Sequence, residues 1–498
     1  MLYERIIRRK DMIDCMLCYD APCGKACDQI EVDKTLRSIY FDNEKIAAYR
    51  LPENNPCLNC DGKCEKACLS GKVEIKKLIN RLYDEIKPEL EVEYSGNEDK
   101  LKTNFCGIPI ENPFFVSSSV VSSTYDMCAA AFEAGFAGVA YKTICNFEIH
   151  EASPRFSAVS GNDGSIIGFK NIEQLSTHSN EEDMAIFKRL KDNYPNKFIL
   201  ASIMGTDDNE WIRLAKMCEE NGADALELNF SCPNLIEGGL GSDIGQVPEL
   251  VERYTRDVTQ AVKIPVIAKL TPNVAKMSPA AFMAKTGGAD GIAAINTIKS
   301  VTNVNIHTYV SSPAVHGMSA VGGYSGNAVK PIALRFISEI AQNEGFDELH
   351  ISGMGGIETW RDAAEFMFLG ANTVQLTTAI MQYGLRIIDD LKSGLLYYLD
   401  EKGFDSVEEL DGLGLSSLSM TTDTLERGTI QFPAFEKDKC LGCGRCELSC
   451  RDGGHQAITL DENRRPILNG QKCVGCHLCI LVCPNNAIRT AKKRIRRN

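Results

Sequence analysis

From Phe114 to Ala379 the chain alternates short apolar runs with longer stretches whose apolar residues recur at helical spacing. The runs are FFVSSS from Phe114, GVAYKT from Gly138, FILASIM from Phe198, ALELNFS from Ala225, PVIAKL from Pro265, GIAAINT from Gly291, ELHISGM from Glu348 and TVQLTTA from Thr373. Short apolar runs alternating with helical patterns are the mark of repeated βα units and a parallel sheet. Eight of them predict an α/β fold, a (β/α)8 barrel over residues 91–430, with an active site built from the loops after the strands. An open doubly wound sheet is the alternative. Against it, no GxGxxG follows the first run, and polar or small residues close nearly every run, as a catalytic rim requires.

The flanks read differently. Residues 1–90 hold a dense cysteine group and then VEIKKLINRLYDEIKPEL, whose charged and apolar positions alternate as in a helix, so a small helical module is expected. Residues 431–498 begin QFPAFEKDK and hold a second cysteine group. So short a segment cannot bury a large core and needs a metal staple.

Composition narrows the class. With 44% hydrophobic and 24% charged residues the chain reads as soluble and globular, and no apolar run approaches the roughly 18 residues that span a bilayer. The opening MLYERIIRRKDMIDC is basic but has no apolar core to follow, so a cytoplasmic protein without a secretory signal or membrane span is expected. A net charge of −13 speaks against nucleic acid as a partner. The basic end RTAKKRIRRN reads as a solvated tail, with docking as the alternative.

Of the 21 cysteines, 16 stand in the two terminal groups, which in a chain without an export signal speaks for metal ligation over disulfides. The C-terminal group reads CLGCGRCELSC and CVGCHLCILVCP. This doubled spacing is that of bacterial two-cluster ferredoxins, in which three close cysteines hold one [4Fe–4S] cube and the fourth crosses to the other. It predicts Cys440, Cys443, Cys446 and Cys483 on one cube, and Cys473, Cys476, Cys479 and Cys450 on its partner. Arg451 stands where the first copy would carry proline. Paired zinc sites are the alternative, but those normally use two separated ligand pairs. The N-terminal group, CMLCYDAPCGKAC and CLNCDGKCEKAC, supplies eight more thiols, enough for two further cubes or for zinc.

Clusters pass single electrons and most organic substrates take pairs, so the barrel is expected to bind a flavin, FMN or FAD. Lys142 in AYKT and Lys269 in IAKLTPN close two strands and are placed to stabilise the negative charge of a reduced flavin, or else to form rim salt bridges. Gly355 and Gly356 in SGMGGI, with Thr377 and Thr378 in TTAI, offer backbone N–H groups where barrels hold phosphate. In LELNFSCPNLIEGG, Cys232 lies just past a strand. Its thiol is protonated at neutral pH and suits a general acid, the alternative being a packing cysteine. Asn171, Asn229, Asn234 and Asn296, with Ser231 and Thr297, sit at rim positions. A pyrimidine edge alternates N–H donors and C=O acceptors, and carboxamides partner both.

At these residues a family resemblance appears. NFSCPN resembles the active-site loop of dihydroorotate dehydrogenases and of the FMN domain of dihydropyrimidine dehydrogenases; KNIE, IAKLTPN, INT, GGYSGNAVKPIALR and SGMGGI are similar to the same barrel. CMLCYDAPCGKAC resembles the helical iron–sulfur domain of dihydropyrimidine dehydrogenases and of the glutamate synthase small subunit. The resemblance implies that Asn171, Glu173, Asn229, Ser231, Asn234, Asn296 and Thr297 hold a pyrimidine and that Cys232 is the acid at ring C5. It implies FMN contacts from Ser118, Lys142, Thr143, Lys269, Ser325, Gly326, Gly355, Gly356, Thr377 and Thr378. For the N-terminal thiols it implies one cube on Cys15, Cys18, Cys23 and Cys68, and another on Cys27, Cys57, Cys60 and Cys64. The FAD and NADPH domains that large animal enzymes insert between helical module and barrel are missing, which implies a separate FAD/NAD(P) subunit or a ferredoxin as electron donor; a homo-oligomer is a further expectation. The implied reaction is reduction of the 5,6 double bond of uracil or thymine, or its reverse. Asn234 follows Cys-Pro where dihydropyrimidine enzymes carry histidine, a dihydroorotate dehydrogenase trait, so orotate chemistry stays open. An electron-transfer flavoprotein subunit is the reading from another class.

Overall fold

The computed structural model describes residues 9–162, 164–234, 240–346 and 349–496. Glu348, residues 235–239 of the quoted loop, residues 1–8 of the opening and residues 497–498 of the basic tail lie outside them. The chain divides into two compact units, Met1–Leu418 and Ser419–Asn498. Among the described residues no helix is long and apolar enough to cross a membrane.

In the first unit all eight apolar runs are strands of one closed parallel barrel: β1 Phe114–Val116, β2 Gly138–Ile144, β3 Phe198–Ile203, β4 Ala225–Asn229, β5 Val266–Lys269, β6 Gly291–Ala294, β7 His350–Met354 and β8 Thr373–Leu376. They pair in chain order, and β8 closes on β1 through Val374 opposite Phe114. Parallel strands lie between a packed interior and a layer of helices, so both faces must be apolar, and seven of the eight are buried at every residue, the eighth being half-buried only at its first residue, His350. The helices outside start where the sequence supplies caps. Thr124 caps Tyr125–Ala134, Asp207 caps Asp208–Glu220, and Ser179 and Thr359 form capping boxes for Asn180–Asn193 and Trp360–Phe368.

Two features position the site. At the N-terminal end of the barrel the hairpin Thr103–Phe105 and Ile108–Ile110 puts Phe105 6.0 Å from both Phe115 and Phe198, ring to ring, plugging that end. At the other end, the loops after β2 and β6 supply a four-stranded antiparallel sheet, Phe156–Ser160, Ile166–Asn171, Gly322–Ser325 and Ile298–Ser300. Nothing in the apolar pattern pointed to this sheet.

The N-terminal segment is helical as expected, with its own apolar core around Leu36, Ile75, Leu78 and Leu82. The quoted helix runs over Ile75–Arg81, then loosens into wider and tighter turns to Glu89. The segment packs on the last barrel helix, Ile387–Lys402: Arg37 pairs with Asp390 at 2.5 Å, Ser38 donates to the same carboxylate, and Asn43 donates to Ser393. Trp360 Nε1 donates to Asp42 O from the neighbouring helix.

The second unit has two halves. Helix Arg445–Gly453 and helix Leu478–Leu481 begin inside the two cysteine runs, the hairpin Ile458–Leu460 with Pro466–Leu468 lies between them, and Thr429–Phe435 pairs antiparallel with Ile488–Arg496. The basic tail is therefore not a loose solvated end over its described part. Its backbone alternates in a β ladder with an apolar partner strand, whose hydrogen bonds hold it.

Candidate active site

Under the four-stranded sheet, at the C-terminal ends of the barrel strands, lies a cavity of ≈ 1130 Å³ of empty space, its open mouth included. It is lined by Ser118, Lys142, Thr143, Asn171, Glu173, Asn229, Cys232, Asn234, Lys269, Asn296, Thr297, Ser325, Gly326, Gly355, Gly356, Thr377 and Thr378. Of the expected barrel residues only Ser231 is set back. It is fully buried, donates to Asn229 Oδ1 at 2.8 Å and accepts from Asn296 Nδ2 at 2.8 Å, so it orients two amides.

The strands aim these side chains by simple alternation. Residues two apart point the same way. Glu227 and Asn229 on β4 thus share a face, and Glu227 receives Lys269 Nζ at 3.0 Å and Gln375 Nε2 at 3.3 Å in the barrel interior. On the other side Lys142 donates to Glu173 at 2.6 Å, with Glu151 3.6 Å away. The side chains of the three carboxylates beside the lysines, Glu151, Glu173 and Glu227, are each less than a tenth exposed. Buried charges persist only when paired, and here each lysine has a carboxylate partner. Thr143 accepts from Asn229 Nδ2 at 2.8 Å and bonds Ser202 and Ser118, extending the polar floor. Asn234 Nδ2 donates to Asn171 Oδ1 at 3.0 Å and to Glu173 O at 2.7 Å, tying the Cys232 loop to the covering sheet.

Sequence reasoning missed Glu151, Gln174, Glu227 and Gln375. Glu227 had a signal, since a carboxylate in the middle of a buried strand needs a partner. Gln375 sits likewise inside β8. Glu151 and Gln174 lie in irregular chain, joined by Gln174 N donating to Glu151 at 2.9 Å, and gave none.

The glycine end of the cavity is shaped for close approach. Gly326 (φ 98°), Gly355 (φ 121°) and Gly356 (φ 86°) all adopt the left-handed region. A Cβ on Gly356 would stand 2.9 Å from Gly326 O and 2.9 Å from Lys330 N, so no side chain fits between these backbones. Such a cradle, with Thr378 donating to Ser325 at 2.9 Å beside it, fits a phosphate held by main-chain N–H groups. Within the cavity walls Gln375 Oε1 and Asn234 Oδ1 are buried without a hydrogen-bond partner among the described residues. Buried polar atoms are rarely left so, and a ring bearing N–H groups would satisfy them. The residues present therefore fit a flavin with its phosphate at the glycine end and a second ring at the amides.

Cys232 lies between, 7% exposed, its carbonyl accepting from Ser242 N at 3.0 Å. Burial pushes its thiol pKa up to about 11, against a smaller downward pull from the Asn234 backbone N–H and Lys269. At neutral pH it is a thiol.

The terminal cysteines cluster in the structure. In the second unit Cys440, Cys443, Cys446 and Cys483 line one cavity, and Cys450, Cys473, Cys476 and Cys479 line another. The two halves repeat their N–H···S bonds: Gly442 N to Cys440 and Gly475 N to Cys473, then Ala457 N to Cys450 and Ala487 N to Cys483. In the helical module Cys15, Cys18, Cys23 and Cys68 line a third cavity. Cys27, Cys60 and Cys64 act electrostatically on Cys57, whose thiol burial pushes up to about 12. Among the described residues no three potential ligands meet closely enough for a single metal ion.

Comparison with known proteins follows the same division. Residues 100–399 match the dihydroorotate dehydrogenase family, and residues 434–490 match a 4Fe-4S dicluster domain. The chain is 50% identical over 365 residues to the NAD-dependent dihydropyrimidine dehydrogenase subunit PreA of Escherichia coli, covering 73% of this chain and 89% of that one. It is 35% identical to the chloroplastic dihydropyrimidine dehydrogenase (NADP(+)) of Arabidopsis thaliana, over 66% of this chain and 80% of that one. It is 36% identical to the catalytic subunit of dihydroorotate dehydrogenase B (NAD(+)) of Pyrococcus abyssi, over 63% of this chain and 99% of that one. The chain is thus a dihydropyrimidine dehydrogenase-like member of the dihydroorotate dehydrogenase family that also carries a 4Fe-4S dicluster domain.

Proposed function

We propose that this oxidoreductase acts on the 5,6 double bond of a neutral pyrimidine, uracil or thymine, in either direction, with FMN in the barrel and four [4Fe–4S] cubes on the terminal cysteines. The observation that carries the choice of substrate is the charge balance of the cavity. Its two lysines are each paired with a buried carboxylate, at 2.6 and 3.0 Å, and among the described residues no arginine lines it. A carboxylate such as that of orotate would enter without a free cation to meet it, at a cost of several kcal/mol for an unpaired buried charge. A neutral ring needs only donors and acceptors, which Asn171, Asn229, Asn234, Asn296 and Thr297 supply.

When bound, the flavin supplies the hydride for ring C6. Cys232 holds the proton for C5, and its high pKa keeps that proton in place until the ring draws it. Asn229 and Asn296, fixed by Ser231, bind and orient the ring edge. Lys142 and Lys269 face the cavity as cations and favour electron-rich flavin. Gly326, Gly355, Gly356, Thr377, Thr378 and Ser325 form the phosphate cradle, with Ser118 and Thr143 on the cavity wall. Electrons come from a separate NAD(P)/FAD-binding subunit or a ferredoxin, a reading supported by the subunit names of the E. coli and P. abyssi relatives. The segments 1–90, 91–430 and 431–498 then divide the work into relay, chemistry and relay.

A second reading, dihydroorotate oxidation, is favoured by Asn234 after Cys-Pro and by the P. abyssi likeness. Anaerobic binding of uracil, thymine and orotate to the flavin-loaded protein separates them: perturbation of the flavin spectrum by uracil but not by orotate supports the first, and the reverse overturns it.

A further inference from the structure

Residues 377–386 join two sites. Thr377, Thr378, Ala379 and Met381 line the flavin-shaped cavity, and Arg386 lines the cavity ringed by Cys15, Cys18, Cys23 and Cys68. Met381 and Arg386 are five residues apart, so their Cα atoms stand at most about 17–18 Å from each other even if that stretch were fully extended. Its first part is helical, Thr378–Tyr383, which shortens the span further.

Arg386 is fully engaged by main-chain acceptors. Its Nε donates to Tyr383 O at 3.2 Å, one terminal nitrogen donates to Cys18 O at 3.2 Å and the other to Leu17 O. Leu17 and Cys18 belong to the thiol-bearing loop, whereas Arg386 belongs to the barrel. Among the described residues no carboxylate pairs with this guanidinium, and it is close enough to Cys15 to act on that residue's charge. A guanidinium keeps its charge at every accessible pH. Cluster potentials follow the net charge and hydrogen bonding around the sulfurs. An uncompensated cation beside four thiolates favours the form of the cube that carries the extra electron.

We propose that Arg386 is a positioning residue through which the barrel clamps the first N-terminal cube and raises its reduction potential above that of the same cube without the cation. The inference rests on the reading that Cys15, Cys18, Cys23 and Cys68 hold a [4Fe–4S] cube. It gives that cube a defined place: on the barrel side of the helical module, within reach of the flavin cavity.

The test is an EPR-monitored redox titration of the full chain with its clusters loaded. Cys68→Ser identifies the signal of this cube by altering or abolishing it. Arg386→Gln should shift that signal, and no other, to lower potential. Arg386→Lys keeps the charge and should leave the midpoint near that of the parent. Loss of that one signal in the glutamine variant with its retention in the lysine variant also supports the proposal. A Cys68-dependent signal that does not move in Arg386→Gln overturns it, as does an equal shift, or loss, in both variants. If no signal depends on Cys68, the cube assignment itself fails and the inference falls with it.

Discussion

Removing the Cys232 thiol is the sharpest perturbation of the proposed chemistry. Burial holds its pKa at about 11, so at pH 7 only about one molecule in 10⁴ is thiolate and essentially every site carries the proton to be given. A positioned general acid contributes roughly 10²- to 10⁴-fold, or about 2.7–5.5 kcal/mol of barrier. Cys232→Ala should slow ring reduction by that factor while changing pyrimidine and flavin affinity little, since the proton is in flight only in the transition state. Serine, of similar shape and poorer acidity, should fall between. The sign of the pH effect follows from the raised pKa. The parent rate should be level from pH 6 to 9 and fall as pH rises toward 11, because the deprotonated group has nothing to donate. The assay is anaerobic rapid mixing of reduced protein with uracil, following flavin oxidation per flavin-loaded chain. An alanine variant with an unaltered rate would mean that Cys232 only packs.

Glu173→Gln removes the carboxylate 2.6 Å from Lys142 and leaves Glu151 at 3.6 Å as the remaining partner, so orotate should bind about tenfold more tightly, ~1.4 kcal/mol, and uracil more weakly. Titration of the flavin spectrum with each ligand checks this, and no gain for orotate would contradict it. Gly356→Ala forces a Cβ to 2.9 Å from Gly326 O at φ 86°, a strain of order 1–3 kcal/mol, and should lower flavin per chain while iron per chain stays constant. Asp390→Ala leaves Arg37 with only the half-exposed Asp389 at 3.0 Å and removes the acceptor of Ser38, and should cost about 1–3 kcal/mol, seen as an earlier urea transition of the helical module.

Much of the fold was legible because a parallel barrel strand must be apolar on both faces, a demand that leaves eight conspicuous runs. The covering sheet was not legible for the opposite reason. Phe156–Ser160 and Ile298–Ser300 have no buried residue, and Gly322–Ser325 is half glycine, so neither period nor burial marks them as strands. Asn171 and Ser325 were recognised through motif likeness before the strands bearing them could be seen. The clustering of the C-terminal cysteines was legible because close spacing in sequence, across short turns with glycine in the left-handed region at Gly442 and Gly475, keeps thiols close in space. Ser231 shows the limit of rim reasoning: it sits beside Cys232 in sequence, yet past the end of the strand it is fully buried off the cavity, where it holds Asn229 and Asn296. Glu151 could not be assigned, since only the folded loop after β2 brings it to Lys142.

In the proposed function the cavity reduces a neutral pyrimidine. Its most direct test is a single-turnover comparison in which the dithionite-reduced, flavin- and iron-loaded chain is mixed anaerobically with uracil, thymine or orotate and the flavin absorbance is followed. Uracil or thymine should reoxidise the flavin and yield the dihydropyrimidine, while orotate leaves it reduced. Reoxidation by orotate with none by uracil or thymine would contradict the account.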